Sequence, residues 1–287
     1  MSARMRGLTL RIPTSVAGHA RLVEPATDVD LSLESGRVHA LVGESGAGKS
    51  VLASAFTGLL PAATMVLGGT VEVAGQDVTH ALTQPRDRVW RTLRGRIVGV
   101  VPQSAATSFT PTRTIGRQLH ESVRALGGQM DVAGLAEAAR LPAWALAAYP
   151  HELSGGLAAR AGLAGALAGQ PSILIADEPT ASLDPELSQE VLGLLRAQAD
   201  AGVAVLLITH DVVSLLDGGW ADEVSVMYAG RLVEQGPAGG VLGRPEHAYT
   251  RALIEALPRN GLRAAGDPES LLQLDTVGIE EHLGMVG

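Results

Sequence analysis

Hydrophobic and polar residues alternate in two early segments of the chain. The alternating apolar positions are Leu8, Leu10 and Ile12 in the first segment and Val29, Leu31 and Leu33 in the second. A period of two places these side chains on one face of a strand. The pattern therefore predicts an antiparallel β layer built from the start of the chain.

Later apolar segments are continuous and are typical of strands buried on both faces. They span residues 37–42, 172–176 and 203–208. Residues 50–60 carry apolar side chains at helical spacing before Pro61, which predicts a helix directly after the first of these strands. A second helix is predicted after Asp184, which is suited to cap it, with Gly202 following its end. Strands and helices in this order predict an open α/β sheet.

A glycine-rich segment joins the strand at 37–42 to the helix at 50–60. It has the spacing of a phosphate-binding P-loop, and its candidate nucleotide-binding residues are Gly43, Glu44, Ser45, Gly46, Ala47, Gly48, Lys49, Ser50 and Val51. Lys49 is the only lysine of the chain. A compact ammonium suits the phosphate oxygens, and the loop amides and the helix dipole favour the same anion. A turn that binds nothing is the alternative, and the combination of strand, helix and lysine argues against it.

Two acids, Asp177 and Glu178, follow the apolar strand at 172–176. Acids at the carboxyl end of such a strand commonly hold Mg²⁺ and water. We expect Asp177 and the Ser50 hydroxyl to bind Mg²⁺, and Glu178 to polarise the attacking water. Alone this pair is a weak signal, because solvated turns also carry two acids.

A second candidate anion site is formed by Ser154, Gly155 and Gly156, which precede an alanine-rich helical segment at 157–169. A single ATP does not need two such sites from one chain. Taken alone, the serine would be read as an ordinary helix cap.

Six motifs together resemble the ABC-type ATPases. They are the P-loop at 43–50, Gln103 in VVPQ, LSGG at 153–156, ILIADE at 173–178, ASLD at 181–184 and LLITHD at 206–211. The resemblance implies a P-loop (RecA-like) α/β core with an antiparallel β layer and an inserted α-helical subdomain. It also implies two ATPase domains paired head to tail, so that LSGG of one closes over ATP held by the other.

Further roles are implied by this resemblance. Gln103 is similar to the residue that senses Mg²⁺ and the attacking water, and it begins the segment that touches the membrane partner. His210 is similar to the histidine that contacts the γ-phosphate. Asp184 is similar to the residue that crosses the dimer interface. The implied catalytic set is Glu178, His210 and Gln103, and the implied metal set is Ser50, Gln103 and Asp177.

Two segments narrow the resemblance to ATPase subunits of oligopeptide, dipeptide and nickel importers. They are residues 108–121 and residues 228–258, and the second contains PEHAYT, where Ala248 replaces the usual proline. The implied partners are a second ABC ATPase subunit, two transmembrane permease subunits and, indirectly, an extracytoplasmic solute-binding protein. A heterodimer is favoured over a homodimer. Peptides rank narrowly above nickel or metal chelates as the solute.

Composition restricts the remaining function classes. The chain of 287 residues has a net charge of -8 and a pI near 5.5, which argues against nucleic-acid binding. It has no cysteine, so thiol chemistry and thiolate metal sites are excluded. Neither a signal peptide nor a membrane span is recognisable. We expect a protein at the cytoplasmic face of the membrane, attached through permease subunits.

The expected organisation is an ATP-binding domain over residues 1–240, with a helical subdomain inserted at about 104–165. An accessory tail is expected over 241–287, with a short helix near 270–274.

ABC proteins usually stack an aromatic ring on adenine from a position ahead of the P-loop, but residues 17–23 contain only His19 as a ring. A weakly hydrolysing regulatory partner therefore remains an alternative, as does an ABC ATPase outside transport. The presence of Glu178 and His210 argues against a weakly hydrolysing partner. The absence of heptads and of a second P-loop in the sequence argues against an ABC ATPase outside transport.

Overall fold

Two β-sheets organise the fold in the computed structural model, which describes residues 2–16, 19–181 and 183–257. Its strands are β1 (Ala3–Val16), β2 (His19–Leu33), β3 (Val38–Val42), β4 (Met65–Val73), β5 (Gln76–Asp77), β6 (Val98–Val101), β7 (Ile173–Asp177), β8 (Ala204–Thr209), β9 (Glu223–Tyr228) and β10 (Arg231–Pro237). Its α-helices are α1 (Lys49–Ala55), α2 (Arg88–Leu93), α3 (Ala105–Ser108), α4 (Ile115–Leu126), α5 (Val132–Ala138), α6 (Gly155–Ala166), α7 (Pro185–Asp200), α8 (Val212–Gly218), α9 (Ala238–Gly243) and α10 (Ala248–Glu255). Within the described ranges, no helix combines the length and the apolar character needed to cross a membrane.

The first sheet is antiparallel, in the order β2-β1-β4-β5. Leu8 of β1 pairs with Val29 of β2, and both side chains are fully buried. Because alternate residues of a strand point to the same face, this register buries the two alternating sets seen in the sequence. The predicted antiparallel β layer is confirmed.

The second sheet has the order β10-β9-β3-β8-β7-β6, and only β10 runs antiparallel to its neighbour. Val42 at the end of β3 pairs with Thr209 at the end of β8. Asp177 at the end of β7 pairs with Ile208 of β8. The segments that follow β3, β7 and β8 therefore leave the sheet side by side at its carboxyl edge, where ligands of open α/β sheets bind.

A hydrophobic core lies on each face of the parallel sheet. In β8, Val205 and Leu207 pack into the core shared with the helices, whereas Leu206 and Ile208 pack into the core shared with the antiparallel sheet and α1. Burial on both faces explains why this strand is a continuous apolar run rather than an alternating one. The mixed α/β fold with an antiparallel layer agrees with the predicted fold class.

Helices α3 to α6 are inserted between β6 and β7 and pack on one face of the parallel sheet. Ile115 and Leu119 give α4 its buried face in the same core. At the other end of the chain, α9 adds Val241 and Leu242 to that core, and Leu257, which follows α10, joins them. The boundary predicted between residues 240 and 241 falls inside α9, and the predicted helix near 270–274 lies outside the described residues.

Helix α1 is shorter than the sequence pattern predicts. It ends at Ala55, not at the predicted Leu60. Gly58 takes a left-handed backbone with φ 61°, and the N–H of Leu59 reaches back to the carbonyl of Ser54 at 3.0 Å. This closure ends the helix before Pro61 is reached. Leu59 is consequently 56% exposed instead of lying on a buried helix face.

Candidate functional site

The predicted P-loop connects β3 to α1 at the carboxyl edge of the parallel sheet. Gly43 and Gly48 have φ angles of 149° and 111°. A Cβ atom would lie 2.1 Å from the Met227 carbonyl oxygen at Gly43 and 2.0 Å from the Pro25 carbonyl oxygen at Gly48. These two glycines therefore allow the loop to pass close to β9 and β2. By contrast, Cβ of a residue at Gly46 would meet no atom within 4 Å, so this part of the loop is open.

Lys49 is folded back onto the loop that precedes it. Its Nζ donates hydrogen bonds of 2.7 Å to the carbonyl oxygens of Gly43 and Glu44. The residue is only 6% exposed. Burial lowers the pKa of the Lys49 ammonium, while the nearby charges of Glu178 and Asp177 act in the opposite direction. The lysine thus lies within electrostatic range of both acids predicted from the sequence.

Asp177 and Glu178 lie where β7 ends. The Oδ1 atom of Asp177 is buried and has no hydrogen-bond partner among the described residues. A buried carboxylate oxygen without a partner is costly, so this atom is suited to an incoming cation or a water bound to one.

Glu178 has a strained backbone. Its φ is 50°, a left-handed conformation that costs a residue with a side chain about 1 to 3 kcal/mol. The N–H of Glu178 donates to the carbonyl of Ile208 at 2.9 Å, which ties this turn to β8. The turn directs the carboxylate toward His210, whose Nδ1 lies 2.6 Å from Glu178 Oε2.

His210 follows β8, and its side chain is 63% exposed while that of Glu178 is 13% exposed. A carboxylate can only accept hydrogen bonds, so Nδ1 carries the proton and Nε2 is left to face solvent or a ligand. The sequence placed both residues near the phosphates but contained no signal that they contact one another.

Gln103 lies in the turn after β6, and its side chain is exposed. Since β6 is the neighbour of β7 and the edge strand of the sheet, Gln103 emerges beside the two acids and next to the inserted helices.

Ser154, Gly155 and Gly156 form the start of α6. The Ser154 hydroxyl accepts the N–H of Leu157 at 3.4 Å, which makes it the helix cap. Ser154 and Gly155 are exposed, whereas Gly156 is buried and a Cβ atom there would lie 3.2 Å from Leu187 of α7. Between described residues, no hydrogen bond joins this serine-glycine segment to the P-loop.

Asp184 caps α7 by accepting the N–H of Leu187 at 2.9 Å, as predicted. Helix α7 is in turn linked to α6 by an ion pair between Glu190 and Arg160. The two segments assigned to a dimer interface by resemblance are therefore connected to each other. Ser182, which lies in the chain between Gly156 and Asp184, is outside the described residues. The side chain of His19 is also outside the described part of the structure.

Sequence comparison decides the family. The family profile described as ABC transporter matches residues 26–181, more than half of the chain. The chain belongs to the ABC transporter family. A profile for an AAA domain also matches this ABC protein, over residues 146–217.

Two curated relatives are close enough to align over most of this ABC protein. It is 36% identical over 258 residues to a dipeptide transport ATP-binding protein of Escherichia coli (strain K12), with 87% of this chain and 76% of the relative covered. It is 38% identical over 246 residues to an oligopeptide transport ATP-binding protein of Streptococcus pneumoniae, with 80% and 66% covered.

Solved structures agree on the fold. A dimeric ATP-binding cassette in a post-hydrolysis state with ADP and Pi superposes with a TM-score of 0.66 at 22% identity, covering 82% of this chain and 98% of that one. An ABC transporter subunit of Clostridium perfringens gives a TM-score of 0.66 at 23% identity, with 90% and 96% covered. The ABC cassette fold predicted from the sequence is thereby confirmed.

Proposed function

We propose that this ABC protein binds and hydrolyses ATP to energise an importer of oligopeptides or dipeptides. The observation that carries the proposal is the contact between Glu178 and His210, at the same sheet edge as the buried ammonium of Lys49. A phosphate-binding cation, a carboxylate base and an orienting histidine together are suited to hydrolysis of the γ-phosphate.

In this reaction Glu178 accepts a proton from the water that attacks the γ-phosphorus. The bond between that phosphorus and the bridging oxygen breaks with its electron pair staying on ADP, ADP and phosphate leave, and Glu178 releases its proton to solvent. His210 fixes the Glu178 carboxylate through Nδ1 and presents Nε2 to the γ-phosphate. Lys49 neutralises charge on the β- and γ-phosphate oxygens, and the amides of Gly46 to Ser50 surround them.

The donor set at this edge fits Mg²⁺. The unpartnered Oδ1 of Asp177, the hydroxyl of the exposed Ser50 and the exposed amide of Gln103 offer the oxygen ligands that Mg²⁺ prefers. When bound, Mg²⁺ would neutralise charge on the β- and γ-phosphate oxygens.

A second ATPase subunit completes the site. Ser154 and Gly155 are exposed at a helix start and make no hydrogen bond to the phosphate loop of their own chain, within the described residues. We assign them, with Asp184, to the nucleotide held by the partner, and the partner's equivalent segment to the nucleotide held here. A heterodimer with a related subunit is favoured over a homodimer because importers of this kind commonly use two different ATPases.

The permease subunits would dock in a groove of about 440 Å³ beside β6. Val100 and Leu59, which are 42% and 56% exposed, line the groove on the core side, and Phe109 and Gly165 line it on the inserted helices. Pro102, the residue before Gln103, also lines the groove, so a permease seated in it would be joined to the catalytic edge. This docking places the protein at the cytoplasmic face of the membrane, with a solute-binding protein on the opposite side.

In this assignment residues 1–240 form the ATP-binding domain, with the helical subdomain inserted at about 104–165. Residues 241–257 pack onto it, and the rest of the predicted tail lies outside the described residues. Peptides are favoured as the solute because the curated relatives are named as dipeptide and oligopeptide transport proteins. A nickel or metal-chelate importer is the alternative.

The test is reconstitution with the proteins encoded beside this chain. Two permeases, a second ATPase and a solute-binding protein, assembled in vesicles with this subunit, should accumulate a labelled dipeptide when ATP is supplied. The same assembly carrying Lys49→Ala in this chain is the control and should transport poorly. Uptake of nickel in place of peptides would overturn the solute assignment, and an assembly that hydrolyses no ATP would overturn the proposal as a whole.

A further inference from the structure

The tyrosine of the PEHAYT segment lies against the phosphate loop. The Tyr249 hydroxyl oxygen accepts a hydrogen bond of 3.3 Å from the backbone N–H of Glu44, 205 positions away in the chain. Glu44 is the second residue of the predicted P-loop. The sequence identifies the tail segment and the P-loop as two separate motifs. The fold brings these motifs into contact.

The backbone carbonyl of Glu44 also holds the side chain of Lys49. Its carbonyl oxygen accepts from Lys49 Nζ at 2.7 Å and from the N–H of Ala47 at 3.2 Å. The N–H and the carbonyl of this one residue thus face Tyr249 and Lys49, respectively. The Glu44 N–H shares its peptide group with the Gly43 carbonyl, which also accepts from Lys49 Nζ at 2.7 Å, so hydrogen bonds run from the tyrosine through the Gly43–Glu44 peptide group to the phosphate-binding ammonium.

Tyr249 is itself held on two sides. Its ring packs against Tyr228 at the end of β9, with ring centroids 4.4 Å apart. Its own N–H donates to Nδ1 of His247 at 3.2 Å, which caps α10. Since Met227 of β9 touches the loop at Gly43, both tyrosines approach the same end of the P-loop.

The helix that carries Tyr249 is anchored to β10. The carboxylate of Glu234 accepts the N–H groups of Glu246 and His247 at 2.9 and 3.0 Å. Leu257 after α10 is buried in the core. These contacts fix α10, so the phenol is presented from a rigid element rather than from a free tail.

We propose that Tyr249 is a positioning residue that holds the Gly43–Glu44 peptide group, and through it Lys49, in the geometry that receives the nucleotide phosphates. The inference rests on the proposed function of the P-loop. A loop already held in its binding geometry loses less conformational freedom when the ligand arrives, so the contact contributes to ATP affinity and not to the chemical step.

The Tyr249 phenol is uncharged when it accepts this hydrogen bond from the loop. Burial, reinforced by the nearby charge of Glu44, raises the pKa of Tyr249 to about 12, so it stays protonated over the range in which the enzyme would work. An uncharged acceptor holds the loop without placing a second anion beside the phosphate site. A carboxylate in the same place would compete with the nucleotide electrostatically.

Tyr249→Phe tests the proposal because it keeps the ring on Tyr228 and removes only the acceptor. Tyr149→Phe is the matched control, since Tyr149 packs on His151 and no hydrogen bond between described residues joins it to the phosphate loop. Amide hydrogen exchange is measured first, on the full-length protein without nucleotide. The Glu44 amide should exchange about two- to tenfold faster in Tyr249→Phe and at the parent rate in Tyr149→Phe. Exchange at Glu44 that does not change in Tyr249→Phe would overturn the proposal.

Kinetics of the assembled ATPase give the second readout. Tyr249→Phe should raise KM for ATP about two- to tenfold while kcat stays within about twofold of the parent value. A fall in kcat with KM unchanged, or a parallel loss of thermal stability and of protection throughout α10, would assign Tyr249 a purely structural role. Because the exchange measurement needs no nucleotide, it separates failure of this contact from failure of the proposed ATPase function.

Discussion

The imidazole of His210 and the carboxylate of Glu178 form a 2.6 Å contact across the ends of β8 and β7. The two residues are 32 positions apart in the chain, and they meet because parallel neighbouring strands end at the same edge of the sheet. The contact fixes the carboxylate in a turn whose backbone is already strained at Glu178. Backbone strain of this kind is common at active sites, and it supports the catalytic role proposed for Glu178.

Glu178→Gln should abolish the base while preserving the shape of the side chain. We expect ATP binding to be retained and kcat to fall on the order of 10² or more, comparable to the loss of one preorganised contact to the transition state. Phosphate release under single-turnover conditions measures the effect. Glu72→Gln, on the exposed face of β4, is the charge-matched control and should hydrolyse ATP at the parent rate. A Glu178→Gln variant with parent kcat would remove this residue from the catalytic role.

His210→Ala should also slow hydrolysis, because the Glu178 carboxylate loses the group that orients it. Residues that act as a unit give non-additive effects. The double variant Glu178→Gln with His210→Ala should therefore have a kcat close to that of the more severe single variant. Losses that multiply would show that the two residues act independently, contrary to the geometry.

Lys49→Ala should eliminate the increase in melting temperature that ATP gives to the parent protein, since ligand stabilisation requires binding to the folded state. Lys49→Arg should fail in the same way. The ammonium occupies a buried position 2.7 Å from two carbonyl oxygens, where a broad guanidinium cannot take its place. Stabilisation by ATP in Lys49→Ala would contradict the assignment of the phosphate loop.

The sequence was sufficient to predict the family, the fold class and the placement of the acids and His210 beside the P-loop. Their strands are continuous apolar runs, and parallel strands of this kind deliver the residues that follow them to one edge. The end of α1 was predicted wrongly, because Gly58 closes the helix before Pro61 and a left-handed glycine gives a weaker sequence signal than a proline.

The contacts between distant motifs could not be predicted. Tyr249 and Glu44 belong to separate motifs with no shared periodicity, and only the folded sheet brings β9, α10 and the P-loop together. The contact of Glu178 with His210 depends on a backbone conformation that is unusual for glutamate. In the proposed heterodimer Ser154 faces a different chain, so no pattern within this sequence defines the surface that it meets.

Folding stability should depend on pH through His39, a buried residue of β3. Its Nδ1 donates to the Ser32 carbonyl at 3.1 Å, so Nε2 accepts from the Ser225 hydroxyl at 2.7 Å. Burial lowers the pKa of His39 from its ordinary value of 6.5, and this outweighs the opposing influence of Glu223, the Ser32 carbonyl and Glu34. Below pH 6.5 the unfolded chain therefore binds a proton that the folded chain does not.

It follows that the free energy of unfolding should decrease as the pH falls from 6.5 toward the lowered pKa of the folded state. Chemical denaturation at a series of pH values measures this slope. In His39→Gln the free energy of unfolding should no longer decrease between pH 6.5 and the lowered pKa of His39 through this group. We expect the variant to be less stable than the parent overall. An identical slope in the variant and the parent would show that His39 does not govern it.

Magnesium dependence should identify the function of the unpartnered Asp177 oxygen. In the parent protein, a chelator should reduce the thermal stabilisation given by ATP, because phosphate charge is then left without its cation. Asp177→Asn keeps the size of the side chain but weakens its attraction for a cation, and groups that hold a metal through water typically contribute about 10- to 100-fold to its affinity. The Mg²⁺ concentration that gives half of the full ATP-dependent stabilisation should rise accordingly, while Glu178→Gln should leave it unchanged. If Asp177→Asn requires no more Mg²⁺ than the parent, the buried oxygen has a purely structural role.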